Sequence, residues 1–265
     1  MYQETVRVLW NKQIGTSYFH MGLSCCHGYG AAMPGQFVMV RFPDQITPLL
    51  RRPFSIHRLI TEGDTTTGIE LLYKAVGEGT RKLSLCKKGD FLDVLGPLGK
   101  GFSIEERFRR IFIAAGGIGV APMVFLADVL RQKIGDLSGV RLFLGGRSKD
   151  DLLCKDVFLS AGISVCITTD DGSAGERCQV TGALEIDVKR IKPDIIYACG
   201  PVDMLKCVAD IADTHQVGCE ISIETAMACG IGACLGCVVE NRRSAGKYLH
   251  ACIEGPVFNT GEIRL

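Results

Sequence analysis

Near residue 103 the hydrophobic rhythm of the chain changes, and the two rhythms call for different architectures. From Tyr2 to about Phe102 the pattern is short and β-rich. Val6, Val8 and Trp10 fall on alternate positions, and Phe37 to Phe42 and Ile69 to Val76 are apolar-rich runs, all set off by Gly, Pro and Asp. That pattern predicts a small antiparallel β-barrel. After Arg110, the run from Ile111 to Ala115 reads as a strand buried on both faces. A glycine turn follows, and Val120 to Lys133 has helical periodicity ending before Gly135. Further strands are expected at Val140 to Leu144, Ser164 to Thr168 and Ile195 to Cys199, with helices near Leu152 to Ser160 and Val202 to Asp213. Strand and helix in alternation predict a parallel α/β sheet. The expected fold is therefore multidomain, β plus α/β. Residues 1–103 form the antiparallel β-barrel, 104–218 the α/β nucleotide-binding domain and 219–265 a small C-terminal domain.

That last segment carries Cys229, Cys234, Cys237 and Cys252, spaced C-x4-C-x2-C-x14-C. This is the plant-type pattern for a [2Fe–2S] cluster, with three thiolates on one loop and a fourth from downstream. Gly230, Gly232 and Gly236 let the backbone wrap closely and aim N–H groups at the sulfurs. The plain alternatives are a structural zinc site, for which paired C-x2-C motifs are more usual, or a chance grouping in a cysteine-rich chain.

Thirteen cysteines in 265 residues, with no charged-then-apolar leader at Met1 to Thr5, predict a reducing, cytoplasmic setting. The nine cysteines outside the cluster, such as Cys166 and Cys199 in apolar runs, read as small core residues. Thirty basic against 29 acidic residues leave a net charge of +1, which gives no nucleic-acid footprint and no polybasic anchor. No apolar run reaches the roughly 18 residues of a membrane span.

Two stretches suggest nucleotides. The turn Gly116-Gly117-Ile118-Gly119-Val120-Ala121-Pro122 joins a buried strand to its helix, where a pyrophosphate can approach free N–H groups; the alternative is a packing turn. Pro122 suits the first helical turn. Cys199-Gly200-Pro201 ends a later strand, where Gly200 permits close approach of a planar ring, although a plain strand-end turn reads the same. In the β-rich half, Arg51 and Arg52 make a fork suited to a pyrophosphate. Phe54 is placed to lie along an aromatic ring system, and the Ser55 hydroxyl to bond a ring nitrogen. Leu72-Tyr73-Lys74 and Gly77-Glu78-Gly79-Thr80 follow, with Thr80 expected as the N-cap of a helix from Arg81 to Cys86. Taken singly, Arg52 reads equally as a solvated charge and Tyr73 as a core aromatic.

In this order the barrel, R-P-F-S, G-E-G-T, G-G-I-G-V-A-P and C-G-P resemble the ferredoxin–NADP reductase superfamily, whose barrel binds a flavin and whose α/β domain binds a nicotinamide nucleotide. More closely, residues 47–55, 93–99 and 227–234 resemble the electron-transfer subunits of the dihydroorotate dehydrogenase B family, and the likeness runs through nearly the whole chain. The resemblance implies FAD contacts from Arg52, Pro53, Phe54, Ser55, Leu72, Tyr73, Lys74, Gly79 and Thr80. It also implies a [2Fe–2S] cluster on Cys229, Cys234, Cys237 and Cys252, while Gly116, Gly117, Gly119, Cys199, Gly200 and Pro201 of the two turns are the candidate NAD contacts. Phe54 stands where the wider superfamily often has tyrosine, which removes a hydroxyl and keeps the ring.

A nicotinamide exchanges two electrons as hydride, a [2Fe–2S] cluster exchanges one, and a flavin handles both. A chain holding all three converts hydride chemistry into single-electron chemistry. His20, His27, His57, His215 and His250 are scattered in sequence and read as surface or core residues, so no acid–base site for a carbon substrate is expected. The resemblance supplies the missing chemistry as a partner, an FMN-containing dihydroorotate dehydrogenase catalytic subunit. It implies a heterotetramer of two of each chain, passing electrons from dihydroorotate to NAD+ in pyrimidine biosynthesis. Alternatives are the flavin and iron–sulfur subunit of a sulfide dehydrogenase, an electron-bifurcating transhydrogenase or an anaerobic sulfite reductase, and, in another class, a zinc-stabilised interaction module. The loop from Ala228 to Gly236 is expected at the partner interface. A preference for NAD over NADP is expected from the loop Gly145 to Asp151, where two carboxylates offset Arg147 and Lys149.

Overall fold

The computed structural model describes residues 1–25, 28–43 and 47–265. The first part is a curled antiparallel sheet of β1 (Tyr2–Gln13), β2 (Tyr18–Ser24), β3 (Phe37–Arg41), β4 (Arg52–Ser55), β5 (Arg58–Glu62), β6 (Thr65–Lys74) and β7 (Phe91–Leu98), in the order β4-β3-β7-β1-β2-β6-β5. Alternation sends Val6 and Val8 of β1, Met21 and Leu23 of β2, Ile69 and Leu71 of β6 and Leu92 and Val94 of β7 into one core. A short helix, α1 (Glu78–Ser84), links β6 to β7. It starts three residues earlier than expected, with Gly77 at its N-cap. Thr80 instead sits inside the first turn, where its Oγ1 accepts the backbone N–H groups of Val76 and Gly77.

The α/β part comprises β8 (Ile111–Gly116), α2 (Ala121–Ile134), β9 (Val140–Gly146), α3 (Lys155–Ser160), β10 (Ser164–Thr169), α4 (Val180–Arg190), β11 (Ile195–Cys199), α5 (Val202–His215) and β12 (Gly218–Ser222). These strands pair in parallel in the order β10-β9-β8-β11-β12. Both faces are covered. Ile111, Ile113 and Ala115 of β8 pack with α2, while Phe112 and Ala114 pack with Leu184 and Val188 of α4 and Leu205 and Val208 of α5. The α2 helix also reaches the first sheet, where Phe125 joins its core.

The C-terminal segment adds β13 (Val238–Asn241), β14 (Tyr248–His250), β15 (Val257–Asn259) and β16 (Ile263–Arg264). Strands β14-β13-β16 make a small sheet, and β15 pairs antiparallel with β12, so the large sheet is mixed at that edge. Strand β12 lies across the boundary expected at residues 218 and 219. One continuous core joins Phe37, Met39 and Leu98 of the first sheet to Cys237, Ala251, Cys252 and Phe258. The segment is thereby held against both other parts.

Candidate functional site

The loop before β13 brings three of the four predicted thiols together, and the turn after β14 supplies Cys252. Cys237 and Cys252 are buried, Cys229 is half-buried and Cys234 is exposed. Gly230 has φ +74°, and a Cβ there would come within 2.6 Å of the Met39 side chain, so only glycine lets this turn lie against β3. The folded loop turns N–H groups onto sulfur. Ile231 and Cys234 donate to Cys229 Sγ at 3.4 Å each, and Gly232 donates to Cys252 Sγ at 3.1 Å.

Backbone bonds hold the thiol-bearing residues near one another: the Cys234 N–H donates to Cys229 Sγ, and the N–H of Ala251, next to Cys252, donates to the Cys237 carbonyl at 2.9 Å. Burial works against ionising Cys229, but the converging N–H donors and Cys234 outweigh it and bring that thiol down to about 6. Burial, together with Cys237, pushes Cys252 up to about 12. A single tetrahedral zinc would hold four sulfurs about 3.8 Å from one another. Among the described residues, the only set of at least three His, Cys, Asp or Glu ligand atoms mutually within 4.8 Å is His20, His57 and Glu70. Four thiols of which no three lie mutually within 4.8 Å match two irons better than one ion, and the donor set fits a [2Fe–2S] cluster.

A cavity of about 360 Å³ lies where the three parts meet. Pro53, Phe54 and Ser55 of β4 and Leu72, Tyr73 and Lys74 of β6 line one side; Gly119, Cys199, Thr225 and Met227 line the other. Phe54 stands edge-on to Tyr73, with ring centres 5.7 Å apart. The Tyr73 hydroxyl turns into the sheet and donates to Asn11 Oδ1 at 3.0 Å, so this residue is also part of the core. Thr225 Oγ1 is buried without a hydrogen-bond partner at this cavity, and an isoalloxazine-type ring edge would satisfy it. Those residues fit FAD. Arg52, Gly79 and Thr80 do not line the cavity. Arg52 Nε would be 3.2 Å from a Cβ on Gly79, which makes a ledge of Arg52 beside the start of α1.

Arg51 does not join that ledge. Its guanidinium meets Asp93 through Nη1–Oδ1 at 3.0 Å and Nη2–Oδ2 at 2.8 Å, and Arg41 Nε reaches the same carboxylate at 2.8 Å. The predicted arginine fork is therefore split, because a buried carboxylate on β7 claims one arm.

A second cavity, of about 740 Å³, lies beyond the carboxyl ends of the parallel strands. The predicted Gly116, Gly117, Gly119, Gly200 and Pro201 line it. A Cβ on Gly119 would fall 2.2 Å from the Cys199 carbonyl oxygen and 2.7 Å from Gly200 N, so the two predicted turns interlock backbone to backbone. The Thr168 hydroxyl is buried at this cavity without a partner, again a polar atom available to a ligand. Asp151, Asp170, Asp203 and Glu224 line it against Lys74 and Arg147, an acidic excess that disfavours a 2′-phosphate. Lys74, Val76, Ile118, Gly119 and Glu224 line both cavities, which are thus contiguous.

Sequence reasoning missed Tyr18, Thr168, Gln179, Thr225 and Met227 as cavity residues, and it weighed Asp151 only as a countercharge in the Gly145 to Asp151 loop. Tyr18 donates a hydrogen bond to Asp151 Oδ1 and accepts one from Lys74 Nζ at 2.8 Å, joining the first sheet to the α/β part. No local pattern announces that pairing. The histidines are less scattered than their spacing suggested, since His20 and His57 stand together with Glu70. His215 faces Glu185, His250 faces Glu254, and His27 lies outside the described residues.

Residues 224–264 match the family model for the iron-sulfur cluster binding domain of dihydroorotate dehydrogenase B, and residues 112–210 match the oxidoreductase NAD-binding domain. The protein named dihydroorotate dehydrogenase B (NAD(+)), electron transfer subunit, of Desulforamulus reducens is 38% identical over 234 residues, 88% of this chain and 87% of that one. Its namesake in a Geobacillus strain is 38% identical over 267 residues, 100% of each. Among solved structures, an NADH-dependent reduced ferredoxin-NADP oxidoreductase studied for flavin-based electron bifurcation has a TM-score of 0.84 at 29% identity, covering 98% of this chain and 89% of that one. A ferredoxin NADP+ reductase from Neisseria gonorrhoeae shares the fold, with a TM-score of 0.67 at 16% identity, covering 86% and 94%.

Proposed function

The chain belongs to the electron-transfer subunit family of dihydroorotate dehydrogenase B (NAD+), and from that premise we propose how its own residues divide the work. It is an oxidoreductase subunit that uses a [2Fe–2S] cluster, FAD and NAD. When bound, the cluster supplies single-electron exchange, the flavin both single-electron and hydride exchange, and NAD+ the hydride acceptor. Cys229, Cys234, Cys237 and Cys252 would together hold the cluster. Arg52, Gly79 and Thr80 hold the FAD pyrophosphate, while Pro53, Phe54, Ser55, Leu72, Tyr73 and Lys74 hold the rest of that cofactor. Gly116, Gly117, Gly119, Cys199, Gly200 and Pro201 seat the nicotinamide nucleotide, with NAD favoured over NADP by the carboxylates along that cleft.

One observation carries this reading: the cavity lined by β4 and β6 opens into the nucleotide cleft on one side and is walled by Met227, two residues before Cys229, on the other. That order matches electron flow from cluster to FAD to NAD+. The partner is the catalytic subunit, which we take to be FMN-containing and paired as two of each chain. Ile231, Leu235 and Ile253 are exposed apolar residues around the cluster loop and favour that face for docking. A cytoplasmic location is consistent with four thiols kept available for iron.

The test is reconstitution. The chain alone, loaded with iron and FAD, should oxidise NADH with an artificial acceptor, use NADPH at least about tenfold less efficiently, and leave dihydroorotate untouched. Adding the catalytic subunit should restore dihydroorotate-dependent reduction of NAD+. Dihydroorotate oxidation by the isolated chain, or no activity from the pair, would overturn the assignment.

A further inference from the structure

Away from the cofactor cavities, His20, His57 and Glu70 each place a ligand-type atom within 4.8 Å of the other two. His20 is on β2 and Glu70 on β6; His57 lies in the turn between β4 and β5. His20 Nε2 and Glu70 Oε2 are 2.8 Å apart, and the two imidazole rings stand edge to face at 5.5 Å. Around zinc, nitrogen and oxygen ligands at about 2.0–2.2 Å stand roughly 3.3 Å from one another, so small side-chain adjustments would admit an ion. His57 is 5% exposed, and its Nδ1 donates to the Ala121 carbonyl at 2.7 Å. That bond leaves Nε2 as the free lone pair and orients the ring, the outer contact a metal-binding imidazole typically makes. The neighbouring cation is already engaged: Arg58 meets Asp128 of α2 through Nε at 2.6 Å and Nη2 at 3.1 Å. His20 and Glu70 side chains keep 28% and 16% exposure, which leaves an entry path.

We propose that His20, His57 and Glu70 form a divalent metal site of the zinc class, separate from the iron–sulfur loop. Two imidazoles and one carboxylate select borderline transition metals over calcium or magnesium. The ion would join β2, β6 and the β4–β5 turn, and through Ala121 would brace the first residue of α2, directly after the glycine turn of the nucleotide cleft. The site thus ties the flavin-side sheet to the nucleotide-side helix.

The protein for the test is the full chain with iron and FAD already loaded and counted, treated with chelating resin and then equilibrated with Zn2+ alone. One zinc per chain should bind beyond the iron content. Zinc-edge X-ray absorption should show nitrogen and oxygen near about 2.0–2.1 Å and no sulfur near about 2.3 Å. His20→Ala and the near-isosteric Glu70→Gln should each weaken zinc binding by at least about tenfold and abolish the zinc-dependent rise in Tm. Glu70→Gln keeps the side-chain volume, which guards against a variant that fails to fold. A sulfur shell, no saturable binding, or unaltered affinity in both variants would overturn the proposal. None of these readouts depends on electron transfer, so the outcome is independent of the assigned function.

Discussion

Cys234 is the exposed member of the four-thiol set, and its backbone N–H donates to Cys229 Sγ at 3.4 Å. Replacing it by serine should cost most of the bound iron, whereas Cys166→Ser, on β10 beside Arg141, should leave iron content intact. Two irons and an unchanged reduced-state EPR signal in Cys234→Ser would refute the ligand assignment. Asp93 gives a second residue-level prediction. Burial disfavours its charge, but Arg51 and Arg41 outweigh that and hold the carboxyl below its ordinary 3.8. A depressed folded pKa contributes stability above that ordinary value and loses it as pH falls through the folded one. Asp93→Asn should therefore destabilise the chain by about 3 kcal/mol in urea at neutral pH, because it leaves Arg51, with only 12% of its side chain exposed, unpaired. It should also flatten the acid-side decline. Equal urea midpoints at pH 7 would show that the cluster of charges contributes nothing.

At the scale of elements, the glycine turn before α2 and the Cys199-Gly200-Pro201 turn after β11 act as one unit, because Gly119 rests on the Cys199 carbonyl. Gly119→Ala should push the turns apart and weaken NADH binding by about tenfold or more, with the chain still holding iron. Titration of the oxidised protein with an unreactive NADH analogue checks it; unchanged affinity would separate the turns from nucleotide binding. Both turns were legible in sequence because each follows a fully apolar strand. Helix α4 was not. Val180, Ala183, Leu184 and Val188 keep a helical spacing, but the helix begins Val-Thr-Gly, weak formers all, and Gln179 provides no side-chain cap. Strand β12 escaped for a related reason: in five residues only Cys219 and Ile221 show the alternation of a strand.

For the whole molecule, closure between the first sheet and the α/β part runs through Tyr18, Lys74 and Asp151. Tyr18→Phe keeps the ring and removes a hydroxyl that meets a carboxylate, an interaction worth about 1.5–3 kcal/mol. It should raise the KM for NADH roughly tenfold or more while leaving the flavin spectrum unchanged; an unaltered KM would show that the pairing does not govern the cleft. Local order along the chain determined by itself the change from a β-rich to an α/β pattern, the two glycine turns and the four-thiol loop, because periodicity, turn chemistry and cysteine spacing are properties of neighbours in sequence. Only the tertiary structure decided that Arg51 serves Asp93 rather than a ligand, that β15 returns to edge the parallel sheet, that Gly119 rests on the Cys199 carbonyl, and that His20, His57 and Glu70 meet. Each of those outcomes depends on which distant side chains the fold brings within hydrogen-bonding or packing range, and separation in sequence carries no record of that distance.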